Sequence, residues 1–132
     1  MTELKRKIGC VIVAHGNLAQ CMMDAVQGIL GKQTGWRAIS NSGLGLKELL
    51  DAVAGAVNEL GRDQDVVVFT DMPGGSCHHA CQELVKDEGA VRTVTGLNLM
   101  MLLEFFVKRD RSTLKELLSL VQERGRDSVR LV

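Results

Sequence analysis

The chain has no tyrosine, three phenylalanines, one tryptophan and a single proline in 132 residues. So few aromatic side chains leave no platform on which nucleic-acid bases could stack. Lys plus Arg and Asp plus Glu are both 16, a formal charge of zero, so there is no basic footprint for a phosphate backbone either. A nucleic-acid partner is excluded on both grounds. Long apolar runs are also missing. The longest, LNLMMLLEFFV, is broken by Asn98 and Glu104 and falls short of the roughly 20 apolar residues that a bilayer span needs, so no membrane insertion is expected. The opening MTELKRKIGCVIVAHG has a basic start and a short apolar run but no small-residue cleavage site, and it reads as lacking a signal peptide. Four cysteines at irregular spacing in a chain that is 45% hydrophobic read as reduced thiols. A cytoplasmic location follows.

What is present suits one compact domain over residues 1–132, with apolar mass for a single core. Ile8 to Ala14 and Asp65 to Asp71 are short, continuous, β-branched runs, the pattern of parallel strands covered on both faces. Apolar residues at three- and four-residue steps predict helices near 18–30 and 45–60, with a weak strand at 36–40 between them. Beyond Asp71 the pattern predicts a helix at 76–87, a strand at 90–95, helices at 98–108 and 112–124, and a last short strand, SVRLV. Strand and helix alternate, which implies an α/β fold: an open, mainly parallel sheet with helices on both faces. No repeat or linker divides the chain.

In such sheets ligands bind beyond the carboxyl ends of the strands. His15 stands at that end of the first strand and Asp71 at that end of the third. Gly16 follows the one and Gly74-Gly75 the other, and a helix begins after each. A glycine turn opening onto a helix presents free N–H groups and a positive dipole end, which suits an anion such as phosphate. Asp71 can hold one ring nitrogen of His15 as N–H, leaving the other as a nucleophile, and can offset positive charge on the ring. A histidine at a strand end is more often a hydrogen-bonded structural residue, and Asp71 alone would read as a helix cap. The conjunction of two switch-point polar residues, each followed by glycine and a helix start, favours function.

The cluster Cys77-His78-His79-Ala80-Cys81 places two thiols one helical turn apart. It matches no metal-ligand spacing and has no second pair elsewhere, so it reads as ordinary helix and no metal is assigned. Cys10 and Cys21 read as core thiols. Met22-Met23 and Met100-Met101 read as core filling, with one of each pair at a docking surface. Trp36 carries no motif. The segment from Lys108 to Asp127 reads as a solvated helical face of mixed charge.

VIVAHGNLAQCMMDAVQGILG, VVVFTDMPGGSCHHA, VTGLNLMMLLE and ERGRDSVRLV, in that order, resemble successive blocks of the mannose/fructose-type enzyme IIA domains of the bacterial phosphoenolpyruvate-dependent sugar phosphotransferase system. The resemblance covers nearly the whole chain. It implies that His15 accepts a phosphoryl group from the phosphocarrier protein HPr and passes it to an enzyme IIB, with Asp71 orienting the ring and Gly16, Gly74, Gly75 and Ser76 around the phosphate. No cofactor is implied. It further implies a homodimer in which an antiparallel edge strand, here SVRLV, is exchanged between subunits. Where the family usually reads G-G-S-P-F-N, this chain has Gly74-Gly75-Ser76-Cys77-His78-His79, and Pro73 stands where an aromatic or bulky residue is usual. Two alternatives stay open: a phosphocarrier subunit of a dihydroxyacetone kinase, and a non-catalytic metal- or thiol-responsive module on the same fold.

Overall fold

The computed structural model describes residues 8–61, 64–87 and 91–132. The leader reading, which rests on the first seven residues, and the predicted strand start at Ala90 lie outside the described residues. Four strands, β1 (Gly9–Ala14), β2 (Trp36–Ser40), β3 (Val66–Thr70) and β4 (Val91–Thr95), alternate with helices α1 (Leu18–Leu30), α2 (Leu46–Leu60) and α3 (Gly75–Asp87). Two further helices follow, α4 (Leu99–Lys108) and α5 (Leu114–Asp127). The strands are all parallel, in the order β2-β1-β3-β4.

The period-two geometry of a strand divides the central residues between two cores. Cys10, Ile12, Val67 and Phe69 face α1, α4 and α5, packing with Met23, Val26, Leu102, Phe105 and Leu117. Their neighbours Val11, Val13, Val66 and Val68 face α2 and α3, packing with Leu49, Val53, Ala80 and Cys81. Burial on both sides is why β1 and β3 are continuous apolar runs rather than alternating ones. Because β2 lies on one side of β1 and β3 on the other, the chain reverses its winding between β1 and β3, which makes the crevice at their carboxyl ends the topological switch point.

Three expectations need correction. SVRLV forms no strand in this single chain: α5 runs on to Asp127, and Val129, Leu131 and Val132 stand exposed beyond it, as an exchanged strand would pair on a second subunit and not within its own chain. Cys21 is exposed rather than a core thiol, since it lies on the outward stripe of α1 while Ala19, Met23 and Val26 take the inward one. Arg109 departs from the solvated face read for its segment. It is 3% exposed, donating to the carbonyls of Ile8 and Thr34 at 3.3 and 2.7 Å. Its guanidinium lies 4.7 Å from the centroid of the Phe106 ring, a cation–π contact that helps offset the burial of charge.

Side chains cap the starts of the last two helices, α5 lying at 114–127 rather than the predicted 112–124. Asn98 caps α4 by accepting from the Met101 amide at 3.1 Å. Thr113 and Glu116 close a reciprocal capping box at the start of α5. Of the methionine pairs, Met23 and Met101 are buried and Met100 is exposed, while Met22 packs at the core margin. No helix among the described residues is long and apolar enough to cross a membrane.

Candidate functional site

Parallel register sets the site. Val13 pairs with Thr70, so the two central strands leave the sheet side by side, and His15 and Asp71 come within bonding reach. One carboxylate oxygen, Asp71 Oδ2, accepts from the His15 backbone amide at 3.0 Å and lies 2.7 Å from His15 Nδ1. The other, Oδ1, accepts from the Met72 amide at 3.1 Å. Burial pushes the Asp71 carboxyl up, but the bonds from the amide and ring of His15 outweigh it and hold the group below the ordinary carboxylate value of 3.8. Asp71 is therefore an anion at neutral pH. A carboxylate can only accept, so the neutral imidazole must carry its proton on Nδ1, leaving Nε2 with a lone pair.

Exposure separates the two partners. The His15 side chain is 49% exposed and that of Asp71 12%, so the ring stands up from a sunken carboxylate. Behind Asp71, buried Thr70 donates from its hydroxyl to that of Thr95 at 2.9 Å, and the Thr70 carbonyl accepts from the Leu97 amide at 3.1 Å. These bonds tie the ends of β3 and β4 together and steady the position from which Asp71 projects.

The glycines predicted beside the site adopt the backbone that their role requires. Gly16 has φ +56°, and Gly74 and Gly75 have φ +77°, a region that side chains with a Cβ disfavour. They turn the chain sharply from strand to helix, bringing the first amides of α3, with Ser76 among them, to the same end of the sheet as His15. Sequence reasoning places all six of His15, Asp71, Gly16, Gly74, Gly75 and Ser76 at this end, and the structure puts them there.

Two features were not foreseen. The His15 amide bond to Asp71 fixes backbone as well as ring, which no residue pattern signals. Cys77, in the first turn of α3, offers its sulfur within 4.8 Å of ligand atoms of both His15 and Asp71. Burial, and then the Asp71 charge, push the Cys77 thiol up, and burial pushes Cys81 up to about 12. Both are therefore protonated at neutral pH. Cys77 and Cys81 both pack in the core on the α2 side, and His79 is exposed.

An open parallel α/β sheet with a carboxylate-braced histidine in its switch-point crevice is the class that fold and site define. Within that class, the chain belongs to the family described as PTS system fructose IIA component, whose family model matches residues 9–122. It is 30% identical over 110 residues to the sorbose-specific EIIA component of Lacticaseibacillus casei, covering 83% of this chain and 79% of that one. It is 29% identical over 126 residues to the mannose-specific EIIAB component of Escherichia coli K12. That match covers 93% of this chain but 39% of that longer protein. Among solved structures, the phosphotransferase system component EIIA of Streptococcus agalactiae superposes with a TM-score of 0.86 at 23% identity, over 94% of this chain and 96% of that one. The mannose/sorbose-specific IIA subunit of Enterococcus faecalis gives 0.80 at 21%, over 96% of each. The protein is a mannose-family EIIA component of a sugar phosphotransferase system.

Proposed function

We propose that His15 Nε2 accepts a phosphoryl group from HPr and passes it to an enzyme IIB, in the cytoplasm and without a cofactor. The observation that carries this reading is the 2.7 Å contact of Asp71 with Nδ1, which leaves one nucleophilic nitrogen on a half-exposed ring. Attack of that lone pair on the donor phosphohistidine forms the new P–N bond as the donor's P–N bond breaks. As Nε2 becomes bonded, positive charge spreads over the imidazole, and the Asp71 carboxylate stabilises it. The Gly75 and Ser76 amides at the start of α3, with the turns at Gly16 and Gly74, supply donors and a dipole for the phosphoryl oxygens. Such transfer leans on positioning and electrostatics more than on covalent help from neighbours.

A protein donor suits the surroundings. Leu18, Leu44, Leu46, Met72 and Met100 are exposed apolar side chains, and each lies in a loop or first helical turn following one of the four strands. They rim the end of the sheet where His15 stands, and apolar groups of this kind make the dry centre of a protein interface. Incubation with phosphoenolpyruvate, enzyme I and HPr should raise the intact mass by one acid-labile phosphoryl group. No gain under conditions that phosphorylate HPr itself would sink the reading.

The chain functions as a homodimer, with residues 128–132 pairing on a sheet edge of the partner. Support comes from the tail, whose Val129, Leu131 and Val132 are 80%, 106% and 121% exposed, and from β2 and β4, each of which has one strand neighbour among the described residues. Strand addition would cover both liabilities at once. Removing residues 128–132 should give a monomer, or a dimer that dissociates at higher protein concentration, in sedimentation velocity. A truncated protein that sediments as the same dimer would contradict this.

A further inference from the structure

We infer that His15, Asp71 and Cys77 together form a binding site for a thiophilic divalent cation, Zn²⁺, whose occupancy withdraws His15 from phosphoryl acceptance. The binding stands on its own geometry; the loss of acceptance rests on the function proposed above.

The three residues come from three places in the fold: the end of β1, the end of β3 and the first turn of α3. Each offers one ligand atom, nitrogen, oxygen and sulfur, and these atoms lie within 4.8 Å of one another. Tetrahedral zinc, with bonds of roughly 2.0–2.3 Å, holds neighbouring ligand atoms about 3.3–3.8 Å apart. Reaching that spacing takes side-chain shifts on the order of 1 Å and the opening of the His15–Asp71 hydrogen bond. With that bond opened, the half-exposed His15 ring has room for a shift of this size. Cys77, 1% exposed, supplies a dry floor, and the exposed ring lies at the mouth, so the fourth coordination position faces solvent.

The donor set selects the metal. A thiolate and an imidazole favour zinc over magnesium or calcium, which prefer oxygen ligands. Thiolate and carboxylate together also balance the charge of a divalent ion. On binding, Cys77 releases its proton to solvent. If Nδ1 ligates, the ring proton moves to Nε2; if Nε2 ligates, its lone pair is used directly. Both routes leave Nε2 with nothing to offer a phosphoryl group. His78 and Cys81, which sequence spacing groups with Cys77, are not members of this cluster.

The site is tested on the reduced, full-length protein with no phosphodonor present. Calorimetric titration with Zn²⁺ should give one site per chain. Cobalt(II) as a probe should give a thiolate-to-metal charge-transfer band in the near ultraviolet. Cys77→Ser, which keeps the side-chain volume, should lose that band and weaken zinc binding by at least about tenfold. His15→Ala should weaken it comparably, and Mg²⁺ should give no heat. Cys21→Ser should change nothing, since that thiol lies elsewhere on the surface. The inference is overturned if Cys77→Ser and His15→Ala bind zinc as the parent does, or if binding is lost in Cys21→Ser or a His78/His79 double variant instead. In a separate arm, zinc should suppress phosphoryl uptake by the parent at least about tenfold more than by Cys77→Ser, with a chelator restoring it. Uptake without zinc tests the proposed function alone. Zinc binding that leaves parental uptake untouched would overturn the withdrawal of His15.

Discussion

His15→Ala is expected to take up no phosphoryl group from HPr, under conditions in which the parent gains one. Among the described residues, the variant removes the one imidazole seated against Asp71, and none at that end of the sheet replaces its Nε2. Stability should change little, within about 1 kcal/mol, because the side chain is half exposed and packs in neither core. The Asp71 carboxylate also keeps the residue-15 amide as a donor. Intact mass and a urea unfolding curve on the same preparation separate lost chemistry from lost fold. His78 and His79 are the rival acceptors. Replacing both should leave labelling intact, and if the His15 variant is labelled as well as the parent, the nucleophile lies elsewhere.

Asp71→Asn should retain the fold and slow transfer by roughly ten- to a thousandfold. In hydrolytic triads, the same carboxylate-to-amide change behind a histidine costs about four orders of magnitude. Transfer between two phosphohistidines is nearly balanced and asks less of the base, so the loss should be smaller. Two effects combine. The amide carries no charge to set against the developing imidazolium, and its NH₂ group can donate to Nδ1, so the ring is no longer confined to one tautomer. Rapid-quench transfer from phosphorylated HPr measures the first, and the ¹⁵N shifts of the ring nitrogens report the second. A variant with parental rate and an unchanged tautomer would reduce Asp71 to a helix cap.

The same variant carries a pH signature. A carboxyl held below its ordinary value in the folded state contributes stability that is fully present above that value and lost as pH falls through the depressed one. The parent should therefore be more stable than Asp71→Asn at neutral pH, and the gap should close only below the ordinary value of 3.8. Urea midpoints taken across that range check it. A gap that is already closed at pH 6 would show that His15 does not stabilise the charged carboxylate.

The fold was legible because its central strands are buried twice over. Ile12 and Val13 serve opposite cores, and a run with no polar face announces a parallel strand. The strand ends followed by glycine then located His15 and Asp71, since a turn at φ +56° or +77° leaves few residues but glycine to choose. Pairwise meetings across the fold were beyond reach. Thr70 and Thr95 bond across two strands, and Arg109 finds the carbonyls of Ile8 and Thr34 from the far end of α4. Each depends on tertiary approach between segments with no local pattern in common. Cys77 illustrates the same limit: its segment reads as ordinary helix, and only the fold brings its sulfur within 4.8 Å of Asp71 and His15.

Asp71 Oδ2 grips residue 15 twice, once at the amide and once at the ring. A ring anchored in that way cannot swing from one face of the protein to another between receiving and giving. Under the proposed function, donor and acceptor must present their reacting atoms from the same side of the imidazole. Each therefore excludes the other while it is docked. The kinetic consequence is a double-displacement pattern: parallel lines in double-reciprocal plots, and substrate inhibition when unphosphorylated acceptor is abundant enough to occupy the face that phosphorylated HPr needs.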